Sequence, residues 1–302
     1  MTQPTVSIIV LNYNSRADTL ACLRSLEHLT YLYTEIIVVD NGSTDGTVEA
    51  VREQFPNVTL MPTGANLGFT GGNNVAIQYA LDKGSDYIML LNNDTIVAPD
   101  MIDMLLRALD RDPALGVVGP LIYYFDQPEV IWSAGGSIDW QRGITHMTGI
   151  GEEDKGQFGQ EPHYVDFVTG CALLARRAVW EQVGLLDDHF FMYYEETEWC
   201  VRVNRAGFKI AQVPSAMMWH KITLEARASS PSTYYYMTRN RLLFLDRTRA
   251  GLRTWLYTLS EYARTFVSWS VRPKWRDRRH LRAIMWRAVR DYSFGKFGPL
   301  RI

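Results

Sequence analysis

Four short polar clusters in this chain carry residue types that can do chemistry, and three of them stand directly behind apolar runs. Asn12-Tyr13-Asn14 follows Val6-Ser-Ile-Ile-Val-Leu11, Asp40-Asn41-Gly42-Ser43 follows Glu35-Ile-Ile-Val-Val39, and Asn92-Asn93-Asp94 follows Tyr87-Ile-Met-Leu-Leu91. A carboxylate such as Asp40 at the end of a buried strand can accept hydrogen bonds from a base or ribose, or it can belong to a solvated turn. Asn92-Asn93-Asp94 offers oxygen ligands that suit a hard cation such as magnesium or manganese bridging a diphosphate; an Asx turn is the plainer reading. The fourth cluster, Glu195, Glu196 and Glu198, opens a helical pattern where the macrodipole favours carboxylates, so a solvated acidic turn would explain it. The five bulky residues before it, Phe190-Phe191-Met192-Tyr193-Tyr194, point instead to an apolar wall that raises a carboxyl pKa toward that of a useful general base. His220, after Trp219, is either a core histidine or a metal ligand.

A further stretch, Asn66-Leu67-Gly68-Phe69-Thr70-Gly71-Gly72-Asn73, combines flexible glycines with a helix start. It would let backbone amides approach an anionic group, or it is a glycine-rich turn and nothing more. The loop after the first strand narrows the function classes. Leu11-Asn12-Tyr13-Asn14-Ser15-Arg16 contains no glycine, and no Gly-Lys-Ser/Thr loop occurs, which disfavours nicotinamide enzymes and P-loop nucleoside triphosphatases. A sugar nucleotidyltransferase, which needs a glycine-rich loop with a basic residue at that place, is disfavoured for the same reason.

These clusters need a scaffold that brings them together. The first hundred residues alternate short apolar strands with helical patterns, the mark of a mostly parallel sheet covered on both faces. Ser15 and Asp18 form a capping-box-like start, and Ala17, Leu20, Leu23, Leu26 and Leu29 make a helical stripe. A second helix is expected after Gly71-Gly72-Asn73-Asn74, over 75–81, stopping at Lys83-Gly84. Later elements are expected as a helix over 177–183, another from the acidic cluster to Gly207, a strand over 209–213 and a loop over 214–220. In an open α/β sheet, ligands bind outside the carboxyl ends of the strands, so the three strand-end clusters converge on one crevice.

Composition agrees with a globular chain: 302 residues, 47% hydrophobic and 21% charged. The three cysteines are widely spaced with no Cys-x-x-Cys pair, so neither a disulfide framework nor structural zinc is expected, and with no leader-like start a cytoplasmic chain is expected. Net charge is −2, but residues 272–302 hold ten Lys or Arg against two acids. In that tail Leu281, Ile284, Met285, Ala288, Val289 and Tyr292 recur at helical spacing among arginines. Two readings stay open: a helix packed on the preceding domain or on a second copy as a homodimer, and a helix lying on the anionic inner face of the cytoplasmic membrane. Nucleic acid is not an expected partner, because nothing in the tail resembles a recognition motif and the body is acidic. The best candidate for a spanning helix, 252–271, carries Arg253, Glu261 and Arg264 and does not qualify.

Taken in order, the motifs Val6 to Asn14, Val38-Val-Asp-Asn-Gly-Ser-Thr-Asp45, Asn66 to Asn73, Leu90-Leu-Asn-Asn-Asp-Thr95, Tyr194-Glu-Glu-Thr-Glu198 and His220 resemble the family 2 glycosyltransferases with the GT-A fold, over residues 5–245. The resemblance implies an α/β fold with a mostly parallel central sheet, helices on both faces and a C-terminal helical tail. It divides the chain into a catalytic domain 1–245, with a nucleotide-binding half 1–115 and an acceptor half 116–245, and a basic amphipathic extension 246–302. It implies that Asp40 contacts the base, with Asn12, Tyr13, Asn14, Asn66, Gly68, Gly72, Asn73 and Asn93 also on the nucleotide, and that Asp94 and His220 hold a divalent cation. An acid of the Glu195-Glu196-Thr197-Glu198 stretch is the catalytic base, Glu196 ahead of Glu195; Glu198, Trp219 and Arg239 are expected on the acceptor side. Two departures stand out: the Asp-x-Asp motif is Asn92-Asn93-Asp94, and glutamates replace the aspartates of Glu-Asp-x-Asp. The Asn-Leu-Gly-Phe-x-Gly-Gly-Asn and Asn-Asn-Asp-Thr forms look most like the rhamnosyltransferase branch, which implies a deoxythymidine diphosphate rhamnose donor, a glycan or lipid-linked acceptor, and inversion at the transferred sugar. A nucleotide-sugar-binding relative without transferase activity is the alternative.

Overall fold

The computed structural model describes residues 3–222 and 230–300. From the amino end the chain runs β1 (Val6–Asn12), α1 (Arg16–Leu26), β2 (Thr34–Asp40), α2 (Thr47–Gln54), β3 (Thr59–Pro62), α3 (Gly68–Lys83) and β4 (Tyr87–Asn92). It continues through β5 (Thr95–Val97), α4 (Met101–Arg111), β6 (Leu115–Tyr124), β7 (Ile131–Ser133), the hairpin β8 (Gly136–Asp139) and β9 (Ile144–Met147), β10 (His163–Tyr164), β11 (Ala172–Arg176) and α5 (Arg177–Val183). Then come α6 (Glu195–Arg205), β12 (Lys209–His220), α7 (Pro231–Arg247), α8 (Leu252–Val271), a 3-10 turn over Pro273–Arg278 and α9 (Leu281–Ser293).

The main sheet has the order β10-β12-β6-β11-β4-β1-β2-β3, with β5 added on β12 and β7 on β6. β1 is parallel to β2 and β4, β2 to β3, and β6 to β12. β11 enters antiparallel between β4 and β6 and joins the two parallel sets. Central strands are apolar at nearly every position because both faces are covered. Alternation along β1 sends Val6, Ile8 and Val10 into a core shared with α1 and α4, and Ile9 into one shared with α3, α5 and α6.

Several expectations need correction. α3 begins at Gly68 rather than after Asn74, so the glycine stretch is inside the helix. A Cβ on Gly72 would stand 2.4 Å from Leu11 Cδ1, which shows that this glycine lets the helix lie close on β1. Strand β12 does not end at Val213. It continues to His220 through a register shift between Val213 and Met217, the kind of irregularity where Pro214 needs no ladder hydrogen bond. Ser15 Oγ does donate to Asp18, at 3.0 Å, but it caps no backbone amide of α1. The expected boundary at 245 falls inside α7, and that at 115 on the first residue of β6.

In the tail, Leu281, Met285 and Ala288 are buried, and Tyr235 of α7 donates to Asp291 of α9 at 3.0 Å. The α9 stripe therefore packs on α7. Among the described residues no helix is long and apolar enough to cross a membrane. All three cysteines are buried and free.

Gly68 has φ +78°, and a Cβ there would meet both the ring and the backbone oxygen of Phe191 at 2.5 Å. Gly68→Ala is expected to lower stability by about 1–3 kcal/mol in urea unfolding, from the left-handed backbone and the clash together. An unchanged midpoint would contradict this close approach.

Candidate active site

In register, Asn12 stands beside Asp40 across β1 and β2, and Leu11 beside Asn92 across β1 and β4. The three polar strand ends thus meet at one edge of the sheet. Asn12 Nδ2 donates to Asp40 Oδ1 at 2.8 Å and to Ser43 Oγ at 2.9 Å. Its Oδ1 accepts from Thr19 Oγ1 at 2.8 Å and from Asn93 Nδ2 at 3.2 Å. Asp40 Oδ2 takes the Ser43 amide at 3.0 Å. Asn12 and Asp40 are both buried, and these bonds fix the loops around them while leaving Asp40 spare acceptor sites. Asn14, left-handed at φ 50°, accepts the Thr44 amide at 2.8 Å, and Tyr13 stays exposed beside it.

Asp94 follows β4 and keeps 34% of its side chain open to solvent. Its Oδ1 lies 3.1 Å from His220 Nε2. Antiparallel pairing of β12 with β5 sets His220 opposite Thr95 and so fixes this approach. Burial works to raise the Asp94 carboxyl, but the hydrogen bond and charge of His220, a backbone amide and the charge of Lys221 outweigh it and hold the group below its usual value. Lys221 also donates from Nζ to Asp18 of α1 at 3.1 Å. An ionised carboxylate touching an imidazole nitrogen fits a divalent cation. Among the described residues no third His, Cys, Asp or Glu joins them, so most of a cation's coordination shell is left to ligands from outside the protein.

The acidic cluster is held by an unusual turn. Phe191, Tyr193 and Tyr194 have φ of 65°, 70° and 75°, a region that residues with side chains avoid. Asn240 Nδ2 shares its donors among the carbonyls of Phe190, Met192 and Tyr193, at 2.9, 2.6 and 2.8 Å. The turn delivers Glu195 and Glu196 to the start of α6. Glu195 is only 4% exposed and its Oε2 has no partner. Glu196 is half-buried and accepts the Gly170 amide. The carbonyl of the next residue, Cys171, accepts the Asn92 amide at 2.9 Å, so Glu196 is tied through Gly170 and Cys171 to the end of β4, two residues before Asp94. Burial raises both carboxyls, and for Glu195 the charge of Glu196 adds to it.

Other expected site residues do different work. The amides of Leu67, Gly68, Phe69 and Thr70 already donate to Asn41, Asn66 and Phe191, so the glycine stretch offers them to no anion. Asn66 accepts from Gly68, and Asn73 binds the Phe69 carbonyl. Glu198 is buried and takes Arg202 Nε on both oxygens, at 3.0 and 2.9 Å, instead of facing an acceptor. Trp219 points to the opposite strand face from His220 and stacks on Tyr123. Arg239 is fully buried and binds the carbonyls of Phe190 and Gly298. Sequence reasoning missed Asn240 and Lys221, which lie next to Arg239 and His220. A cleft of about 560 Å³ lined by His163, Asp166 and Lys209 lies at the far end of β12 from His220 and is unconnected with this chemistry.

Residues 7–183 match the family model described as glycosyl transferase family 2. The N-acetylglucosaminyl-diphospho-decaprenol L-rhamnosyltransferase of Mycobacterium tuberculosis is 33% identical over 232 residues, 70% of this chain and 75% of that protein. The dTDP-rhamnosyl transferase RfbF of Shigella flexneri is 26% identical over 257 residues, 80% of this chain and 83% of its own. Among solved structures, the mannosyltransferase PcManGT from Pyrobaculum calidifontis, in complex with GDP-Man and Mn2+, aligns with 98% of this chain and 88% of its own at a TM-score of 0.61 and 15% identity. GalNAc-T7 with UDP, GalNAc and Mn2+ aligns with 80% of this chain and 48% of its own at a TM-score of 0.63 and 18% identity. Those two likenesses establish the GT-A fold.

A carboxyl raised in the folded state contributes stability that is present below its unfolded pKa and lost as pH rises through the folded one. Glu195 is such a group. Glu195→Gln, neutral at every pH, is expected to lose less stability than the parent between about pH 5 and about pH 8 in urea unfolding. Identical pH dependence in both proteins would contradict a buried, protonated Glu195.

Proposed function

The chain belongs to glycosyl transferase family 2 and is a glycosyltransferase; from that premise we propose that it moves rhamnose from dTDP-rhamnose to a lipid-linked glycan with inversion. The observation that carries the site is the Asp94–His220 contact of 3.1 Å at the carboxyl edge of the sheet, one strand from Glu196. The donor rests on the two relatives named for rhamnosyl transfer, and the lipid-linked acceptor on the first of them. The reading puts the chain at the inner face of the cytoplasmic membrane.

Asp40, with Asn12, Tyr13, Asn14 and Asn93 around it, receives the nucleoside at the ends of β1 and β2. Asp94 and His220 would hold a magnesium or manganese ion, and that ion would supply positive charge where negative charge grows on the leaving diphosphate. Glu196 takes the proton from the acceptor hydroxyl on the opposite face of the sugar, so displacement in line inverts the anomeric centre. Burial raises both carboxyls, and the charge of Glu196 raises Glu195 further, so Glu196 is the one of the pair that ionises more readily.

Glu196→Gln is expected to cut turnover of dTDP-rhamnose by about two to four orders of magnitude with little change in donor affinity, read by steady-state kinetics and donor titration. A larger loss in Glu195→Gln would move the base by one residue. Asp94→Ala is expected to abolish turnover while melting as the parent does; full activity in excess chelator would remove the cation from the account. If a panel of nucleotide sugars gave product only with a different donor, the rhamnose assignment would fall.

A further inference from the structure

Helix α8 has an unpartnered face. Leu252, Leu256 and Val267 are 74%, 60% and 57% exposed, and Leu259 and Phe266 are exposed with them. At 100° per residue these five fall within one arc of about 100°, along a helix about 30 Å long. No charged residue stands in that arc. Arg253 and Arg264 lie along one border, while Glu261 is turned inward to Arg241 at 2.9 Å. Directly after the helix, Arg272, Lys274, Arg276, Arg278 and Arg279 are all exposed, against the single acid Asp277.

An exposed apolar stripe of this length is unusual on a water-soluble surface and marks an interaction site. Its charged border rules it out as a spanning segment, but an apolar arc edged by arginines is the pattern of a helix lying in a membrane interface. A second copy is the less favourable occupant, because the only acid on a facing α8, Glu261, is turned inward to Arg241 and would leave the basic run without an anionic partner. We propose that α8 lies in the plane of an anionic bilayer, its stripe among the acyl chains and residues 272–279 on the headgroups. The inner face of α8 holds α7 through Arg241–Glu261 and through Tyr262 Oη, which donates to the Thr238 carbonyl at 3.0 Å. Helix α7 carries Asn240, so the bilayer surface is one helix away from the catalytic turn. The purpose of the contact rests on the lipid-linked acceptor reading; its measurement does not.

The test is co-sedimentation of the full chain with vesicles of phosphatidylcholine alone and of phosphatidylcholine with phosphatidylglycerol. The parent is expected to bind only the anionic vesicles and to be released by salt. Leu256→Asp with Val267→Asp, and separately Arg276→Glu with Arg278→Glu and Arg279→Glu, are each expected to lower the partition coefficient at least about tenfold at unchanged melting temperature. Binding of both variant sets at the parent's level would overturn the proposal. So would a parent that ignores vesicles but sediments as a dimer which Leu256→Asp with Val267→Asp dissociates, because that gives the stripe to a second copy.

Discussion

The site depends on a turn that the chain would not adopt unaided. Of the four residues from Phe191 to Tyr194, three hold left-handed backbone, each at a cost of order 1 kcal/mol or more. Asn240 makes the turn tenable from α7 by binding the carbonyls of Met192 and Tyr193 within it and of Phe190 before it, and Arg239 adds a further bond to Phe190. The Phe191 carbonyl accepts the amides of Phe69 and Thr70 in the first turn of α3. One turn therefore fixes the start of α6, with its glutamates, and the start of α3, which runs under β1. Gly68 belongs to the same constraint, since only a residue without a side chain fits against Phe191.

At the other side of the site, charge is used sparingly. Amides occupy positions 12, 92 and 93, where they can donate as well as accept, and this lets a buried network close without counter-ions. Asp94 is the one carboxylate of its motif, and His220 and Lys221 set its ionisation. Asp18, reached from α1, binds Lys221 and so couples the first helix to the end of β12. Glu195 and Glu196 show the opposite economy: burial raises both carboxyls, and the charge of one discourages a second charge beside it.

Much of this was legible in the sequence, because an apolar run closed by a polar cluster has one natural place in a parallel sheet. The strands β1, β2 and β4 and the convergence of Asn12, Asp40 and Asp94 follow from that rule alone. What escaped were matters of partners. Periodicity shows that a helix has an apolar stripe but not what covers it: the α9 stripe packs on α7, while α8, whose internal charges mask its pattern, keeps an open one. Spacing could not show that Arg202 would claim Glu198, that Arg239 would be sealed among carbonyls, or that Gly72 serves close packing on Leu11. Pro214 read as a strand end because the local rule knows nothing of the register shift that accommodates it.

Asp94 and His220, at the sheet edge, and Glu196, at the head of α6, are proposed to face one donor from its two sides. A crystal structure with manganese and a nucleoside diphosphate, with the metal located by its anomalous scattering, tests this most directly. The expected result is manganese bound to Asp94 and His220, with the diphosphate between it and Glu196. Manganese held elsewhere, or a nucleotide with Glu196 on the same side as the metal, would contradict the account.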